Sequence, residues 1–540
     1  MLKTIILFFL SILISYNTSA QVKSERNYNV ISYSLDLNLY DCFIRPFPTS
    51  FSASEKITVL NESSSGQISL DAYDGSLIID SVGLSGTSFS HSDNILTINL
   101  DRFYDSSEVF DLLIYYRHKN VKDSSFMTGR GIVYTDCEPI GARRWFVCND
   151  IPSDKAITEI TTRVPVGVIY GATGNLTDSL VSNDTLIYKY VSRYPVATYL
   201  VAIAGKTDFR LQENIWNRYG DNEKIPLRYY SQKGETEFNI NNVMKKVPEI
   251  LEFFSKLFGP YPFEKLAFAT TDQQYQWGGM ENQTLITLCP DCWIEDLVCH
   301  EAAHQWFGDL ISPSAWSDIW LNEGFATYCE AIWAEYKYDY TGYKNLIDYE
   351  ASKYLKHNPG REIYNKDWDK NIPADTILFN DYLAYSKSAC VLHMFRYLVG
   401  DSVFFNSLEL YARNPEYMYG NISTGEFIKF MSSVTNRDLL WFFGQWLMQP
   451  NHPVYQNRTN IKKAGDAKWK VEYTITQHQT NSGFFKMPVE LKVVFENGSD
   501  TLIKVDNDYN VQKYEFEFSS KPKRVLFDPD NHIVLKEVIK

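Results

Sequence analysis

The sequence predicts an α+β protein of several domains, and three observations carry that prediction. Apolar residues recur with a period of two up to about residue 207, with a period of about 3.6 from 208 to 450, and with a period of two again from 451 to 540. At 540 residues the chain is longer than one hydrophobic core usually sustains. The residues that carry chemistry concentrate in the helical middle, where His300-Glu301-Ala302-Ala303-His304 is followed by Glu323.

Residues 1–20 read as a removable leader. Lys3 supplies a positive start, Ile5 to Ile14 an apolar run, and Thr18-Ser19-Ala20 a small-residue cleavage site. The run is too short to span a membrane. No later stretch of 18 apolar residues replaces it, and no cysteine follows Ala20 to take a lipid. The expectation is an exported protein, periplasmic or secreted, with no membrane span once the leader is gone.

Residues 21–207 follow as a β-rich domain. Ile31, Tyr33, Leu35, Leu37 and Leu39 alternate strictly, and similar short runs recur between Asn, Asp, Ser and Gly clusters. Residues 208–450 change period. Val243, Val247, Ile250, Leu251, Phe254 and Leu257 lie at helical spacing, and Gly259-Pro260-Tyr261-Pro262 stops that helix. Further helices are expected over the two-histidine stretch, over Trp320 to Tyr328, and over Lys387 to Leu398. Residues 451–540 return to alternation, with stripes at Trp469, Val471, Tyr473, Ile475, at Val489, Leu491, Val493, and at Tyr514, Phe516, Phe518. These read as a small C-terminal β-sandwich. There is no internal repeat and no long low-complexity linker.

The formal charge is -14, and becomes -15 without Lys3. Such an acid excess argues against a nucleic-acid partner, whose phosphates require clustered Lys and Arg. It favours cationic groups, such as the N-terminal ammonium of a peptide. Nothing in the composition speaks to oligomeric state. Of the eight cysteines, Cys289 and Cys292 form a C-x-x-C. No second C-x-x-C accompanies it, so a structural disulfide or two buried thiols is favoured over a redox pair or half of a second zinc site.

His300 and His304, at i and i+4, share one helix face and can reach one metal ion. Glu301 is placed to touch a metal-held water rather than the metal. This is the H-E-x-x-H pattern of zinc hydrolases. Glu323 lies in Trp320-Leu321-Asn322-Glu323-Gly324-Phe325-Ala326-Thr327-Tyr328, and a glutamate buried among such apolar residues needs a partner or a metal.

These residues resemble those of the M1 family of zinc aminopeptidases, and four motifs in family order carry the resemblance. The zinc signature is His300-Glu301-x-x-His304, eighteen residues, then Glu323. The exopeptidase signature is Gly278-Gly279-Met280-Glu281-Asn282. The tyrosine signature is Tyr385-Ser386-Lys387, 62 residues after Glu323. The N-domain signature is Thr135-Asp136-Cys137-Glu138, followed by Ala142-Arg143. The resemblance implies a saddle-like β-rich N-terminal domain, a thermolysin-like catalytic domain and a small β-domain. It implies one zinc ion per chain on His300, His304 and Glu323, with one position left for water. It implies Glu301 as general base and later proton donor, and Tyr385 as hydrogen-bond donor to the oxyanion. Glu281 and Glu138 would hold the free α-ammonium of a peptide substrate, which makes the activity one that trims ends. Gly278 and Gly279 would let the substrate backbone approach. Trp277 and Met280 would line the first side-chain pocket and favour sizeable apolar residues.

Three departures stand out. Asp136 replaces the usual Gln, which alters the charge near the ammonium site. Ser388 replaces the usual Gly after the lysine. The chain ends with the small β-domain where many relatives carry a further helical one, so a more open cleft is expected. The rival readings are a thermolysin-type zinc endopeptidase, an added epoxide hydrolase activity, and a catalytically silent peptide-binding scaffold. The G-G-M-E-N setting of Glu281 argues against the first, no residue supports the second, and the full set His300, Glu301, His304, Glu323 and Tyr385 argues against the third.

Overall fold

The computed structural model describes residues 26–83, 85–466 and 468–539, so the leader-like residues 1–20 lie outside it. It has a β-rich N-terminal part, a mainly helical centre and a C-terminal pair of sheets.

The N-terminal part is built around a sheet in which Tyr28–Asn38 lies near the middle. That strand pairs parallel with Lys155–Pro165 and antiparallel with Phe51–Asn61. Tyr33, Leu35 and Leu37 point into the core, as their alternation requires. Ile31 does not join them. The register shifts between Val30 and Ser32, so Val30 takes the inward place and Ile31 is left half-buried. Two smaller sheets complete this part. One pairs Ile169–Ala172, Ile203–Lys206, Ile132–Thr135 and Phe126–Gly129, and the other Ser65–Asp71, Ile95–Tyr104 and Ser88–Ser92.

The centre opens with a five-stranded sheet whose edge strand is Gly279–Met280. Helix α1 (Glu237–Phe258) covers it with Val243, Val247, Ile250, Leu251 and Phe254. Phe258, rather than Leu257, completes the buried stripe. Helix α2 (Glu295–His304) carries Glu295 and Asp296 in its first turn, where acids favour the helix dipole. Helix α3 (Trp320–His357) is broken at Tyr338 and Asp339. The short α4 (Asp375–Leu378) precedes a π-helical stretch, Asp381–Lys387, which runs into α5 (Ser388–Val399).

The C-terminal strands form a four-stranded and a three-stranded sheet. Tyr473, Ile475, Val489 and Leu491 from these sheets share one core with Trp446 and the central helices. The N-terminal part has a core of its own, which extends to Met280, Leu285 and Ala384, with Tyr385 packed against it. The two cores therefore meet along the Gly279–Met280 edge strand. Cys289 and Cys292 form a disulfide just before α2, and the other six cysteines are buried thiols.

Candidate active site

A cleft of about 430 Å³ opens where the two cores meet. His300, Glu301, His304, Glu323, Tyr385, Glu138, Trp277, Gly278, Gly279, Met280 and Glu281 all line it. Residues separated by up to 247 positions, from Glu138 to Tyr385, are thus brought to one cavity.

Helix α2 presents both histidines from one face, and the first turn of α3 presents Glu323. The Glu323 carboxylate lies 3.3 Å from His300 Nε2 and 3.4 Å from His304 Nε2. A tetrahedral zinc with arms of ~2.05 Å has edges of about 3.3 Å, so the two carboxylate-to-imidazole distances match edges of such a tetrahedron, and all three donor atoms lie within 4.8 Å of one another. The far nitrogens are already held. His300 Nδ1 lies 2.8 Å from Glu330, and His304 Nδ1 lies 2.7 Å from the Asn322 side-chain oxygen and 3.0 Å from the Phe307 carbonyl. Acceptors at Nδ1 place the ring proton there and leave Nε2 free to bind a metal. The donor set and its geometry fit a zinc ion.

The electrostatics point the same way. Burial opposes ionisation of Glu323, but the His304 and His300 imidazoles hold it well below the usual carboxylate range. Burial pushes Glu301 up to about 8, against the pull of the two histidines and with help from Glu281 and Glu323. Burial, then Glu281 and Glu323, push Glu138 well above its ordinary value. Among the described residues no Lys or Arg pairs with Glu138, Glu281 or Glu301. The cleft thus gathers acids whose charge a metal, a cationic ligand or a proton must neutralise.

Local packing sets each carboxylate. A Cβ on Gly279 would collide with the Glu301 carboxylate, so only glycine lets the edge strand lie this close to α2. Asn322 donates from its amide to Glu281 Oε1 at 2.8 Å while accepting from His304, which couples the His304 ring to the Glu281 carboxylate. Gln305 Nε2 donates to the Glu281 carbonyl at 3.0 Å and to Asp309 at 2.7 Å, tying the edge strand to α2. Tyr385 sits on the π-helical stretch, its ring 6.1 Å from that of His300. Burial, then Glu323 and Glu138, raise its hydroxyl well above 10, so it stays protonated and can donate.

Lys387, the third residue of the tyrosine motif, does not line the cleft. Its ammonium donates to the Gln449 carbonyl at 3.3 Å, and burial pushes it down to about 7. Ser388, where relatives have glycine, donates to the Leu383 carbonyl at 2.8 Å inside the π-to-α junction. Trp277 is 43% exposed and Met280 4% exposed, so of the two only Trp277 can be a mobile wall. Sequence reasoning missed Asn322, Glu330, Gln305 and Asp309. A signal existed for Glu330, which stands seven residues after Glu323 and hence on the same helix face.

Residues 31–200 match the Peptidase M1 N-terminal domain, and residues 242–446 match the Peptidase family M1 domain. Aminopeptidase M1 of Arabidopsis thaliana is 25% identical over 490 residues, which cover 86% of this chain and 51% of that protein. Tricorn protease-interacting factor F2 of Thermoplasma volcanium is 25% identical over 421 residues, covering 74% of this chain and 51% of that protein. The chain therefore spans about half the length of these relatives. The M1 zinc metallopeptidase of Deinococcus radiodurans shares the fold, with a TM-score of 0.69 and 23% identity, covering 79% of this chain and 95% of that one.

Proposed function

The chain belongs to peptidase family M1, and from that premise we propose that it is a zinc-dependent aminopeptidase releasing N-terminal residues from peptides. One observation carries the reading: two acids with no Lys or Arg partner among the described residues, Glu138 and Glu281, share a cleft with the His300, His304 and Glu323 donor set. When bound by His300, His304 and Glu323, zinc supplies Lewis acidity sufficient to bring the pKa of water from ~15.7 towards ~7.

The residues of the chain supply the rest. Glu281 and Glu138 hold the substrate's α-ammonium by charge-assisted hydrogen bonds, which sets the first peptide bond beside Glu301. Glu301 removes a proton from the attacking water and delivers it to the departing amine. Tyr385 donates its hydroxyl proton in a hydrogen bond to the carbonyl oxygen as charge develops there. Gly278 and Gly279 leave the substrate backbone room along the edge strand. Substrates lacking a free amine leave two carboxylates unpaired in the cleft and are disfavoured. The leader-like residues 1–20 support action after export, and no described helix is long and apolar enough to cross a membrane.

Hydrolysis of Leu-, Ala- and Arg-p-nitroanilide beside their N-acetyl counterparts, with and without a chelator, tests this reading. Cleavage confined to free amines, lost with chelator and restored by zinc, is expected. Cleavage of the blocked substrates would replace it with an endopeptidase reading and strip Glu281 and Glu138 of their role.

A further inference from the structure

The Cys289-Pro290-Asp291-Cys292 motif takes no part in the chemistry above, yet it stands between the two elements that do. These four residues join the strand Leu285–Leu288, which pairs with the Gly279–Met280 edge strand, to the segment that opens α2. Cys289 packs against the N-terminal core and Cys292 against the central one. Their disulfide therefore bridges the two cores beside the cleft.

The two ends of this turn are held unequally. Around the second cysteine, the Asp291 amide and the Trp293 indole donate to the Glu235 carboxylate at 2.9 and 3.1 Å. The Asp291 carboxylate accepts from the Thr236 amide and hydroxyl, both at 2.8 Å, just ahead of α1. The Cys292 carbonyl accepts from the Ile294 amide at 2.9 Å, and Ile294 accepts from Val298 inside α2. At the first cysteine the fixings are a turn bond from the Cys292 amide at 3.1 Å and the sulfur bond itself. Cys289 in turn donates its amide to the Gly278 carbonyl at 2.9 Å, which extends the pairing of the edge strand by one residue. That strand is two residues long and paired on one side, and Gly278 is exposed. A strand held so lightly frays from its end unless the residue opposite is fixed. The bond is also within reach of solvent. Both of its cysteines are half-buried, whereas the other six are buried thiols, and burial pushes Cys137, Cys148, Cys299, Cys329 and Cys390 well above the ordinary thiol value.

We propose, on the aminopeptidase reading above, that the Cys289–Cys292 disulfide is a positioning clamp for substrate binding. It carries the fixity of the Glu235, Thr236 and Asp291 junction back to Cys289, and through the Cys289 amide to Gly278. Glu281 follows Met280 directly, so fraying at Gly278 displaces the carboxylate that would hold the α-ammonium. His300, His304 and Glu323 stay on their own helices, so the metal donors do not depend on the bond. The activity is thereby fitted to oxidising surroundings: opening the bond loosens the hold on substrate and spares the donor set.

The test compares KM and kcat for Leu-p-nitroanilide on the zinc-loaded protein before and after treatment with a water-soluble phosphine, and on the double variant Cys289→Ser, Cys292→Ser. The phosphorus gives up two electrons and takes the oxygen of one water, and those electrons with the two protons of that water turn the disulfide into two thiols. Alkylation of a folded aliquot should then count two thiols. KM should rise by about tenfold while kcat changes by less than about threefold, and zinc content should hold. Reoxidation should restore KM, and the double variant should match the reduced protein. An unmoved KM in protein with two alkylated thiols overturns the proposal and leaves the aminopeptidase reading standing. A joint fall in kcat and zinc content also overturns it, because that marks general loss of structure. If no free-amine substrate is cleaved, the aminopeptidase reading fails by itself, and hydrogen exchange decides the clamp. Faster exchange across residues 277–282 on reduction, with residues 295–304 unchanged, supports it, and unchanged exchange across 277–282 overturns it.

Discussion

In the N-terminal domain Asp71 and Asp150 share the guanidinium of Arg143, at 3.1 and 2.8 Å, and Arg26 adds a second cation to Asp71 at 2.8 Å. In the cleft Glu281 and Glu301 are buried to a similar degree and Glu138 is half-buried, and no Lys or Arg of the described chain joins them. Both regions carry the desolvation of buried acids. The first neutralises it with its own arginines, so its acids hold loops together. The second leaves it to be neutralised from outside, so its acids are available to a metal, an ammonium or a proton. A buried acid is thus informative about function only when its counter-charge is missing from the fold.

That comparison can be broken in four places. Arg143→Ala should cost ~3–5 kcal/mol of stability by urea unfolding, because it leaves Asp150 buried and short of its cation. Zinc content of the folded fraction should not change; a loss of zinc would mean the two regions are not separate in role. Tyr385→Phe should act in the opposite sense. It should remove about 2.7–4 kcal/mol of transition-state stabilisation, read in kcat rather than in the melting temperature. A fall in kcat below tenfold would remove Tyr385 from the chemistry. Asn322→Ala should weaken zinc by roughly 10–100-fold in competition with a chelator, since it releases His304 Nδ1, and should also raise KM by freeing Glu281. Unchanged zinc affinity would count against the coupling.

The smallest effect concerns Glu55 in the N-terminal core. It accepts one bond, from the Val147 amide at 3.0 Å, and its other oxygen has no partner. Burial pushes its affinity for a proton well above the ordinary value, so the folded protein keeps the carboxyl neutral. An unfolded glutamate ionises above about 4.3. The contribution is therefore full below that pH and is lost as pH rises towards the folded value. Urea midpoints of the native protein should fall between pH 5 and 8, and Glu55→Gln should flatten that slope. An identical slope in the variant would place the pH dependence elsewhere.

The candidate metal cluster and its helices were legible because their signal is local. His300 and His304 are one turn apart, and Glu323 heads an apolar helical run, so period and residue type alone bring them to a common face. The β-rich, helical and β-rich sequence of layers was legible for the same reason. Ile31 was misread because a bulge changes the phase of a strand without changing its residues. Asn322, Gln305 and Asp309 were not legible, since polar residues beside a motif look like any solvated side chain until a partner from another segment meets them.

Residue pattern by itself determined which side chains this protein has for holding a metal and where its helices and strands run. Only the packing of the two cores decided that Glu138 faces Glu281 in the cleft and that, among the described residues, no Lys or Arg pairs with either. The physical reason is that helical and strand periods are set between neighbours a few residues apart, whereas the charge balance of a cavity is set by segments that meet only when the chain is folded.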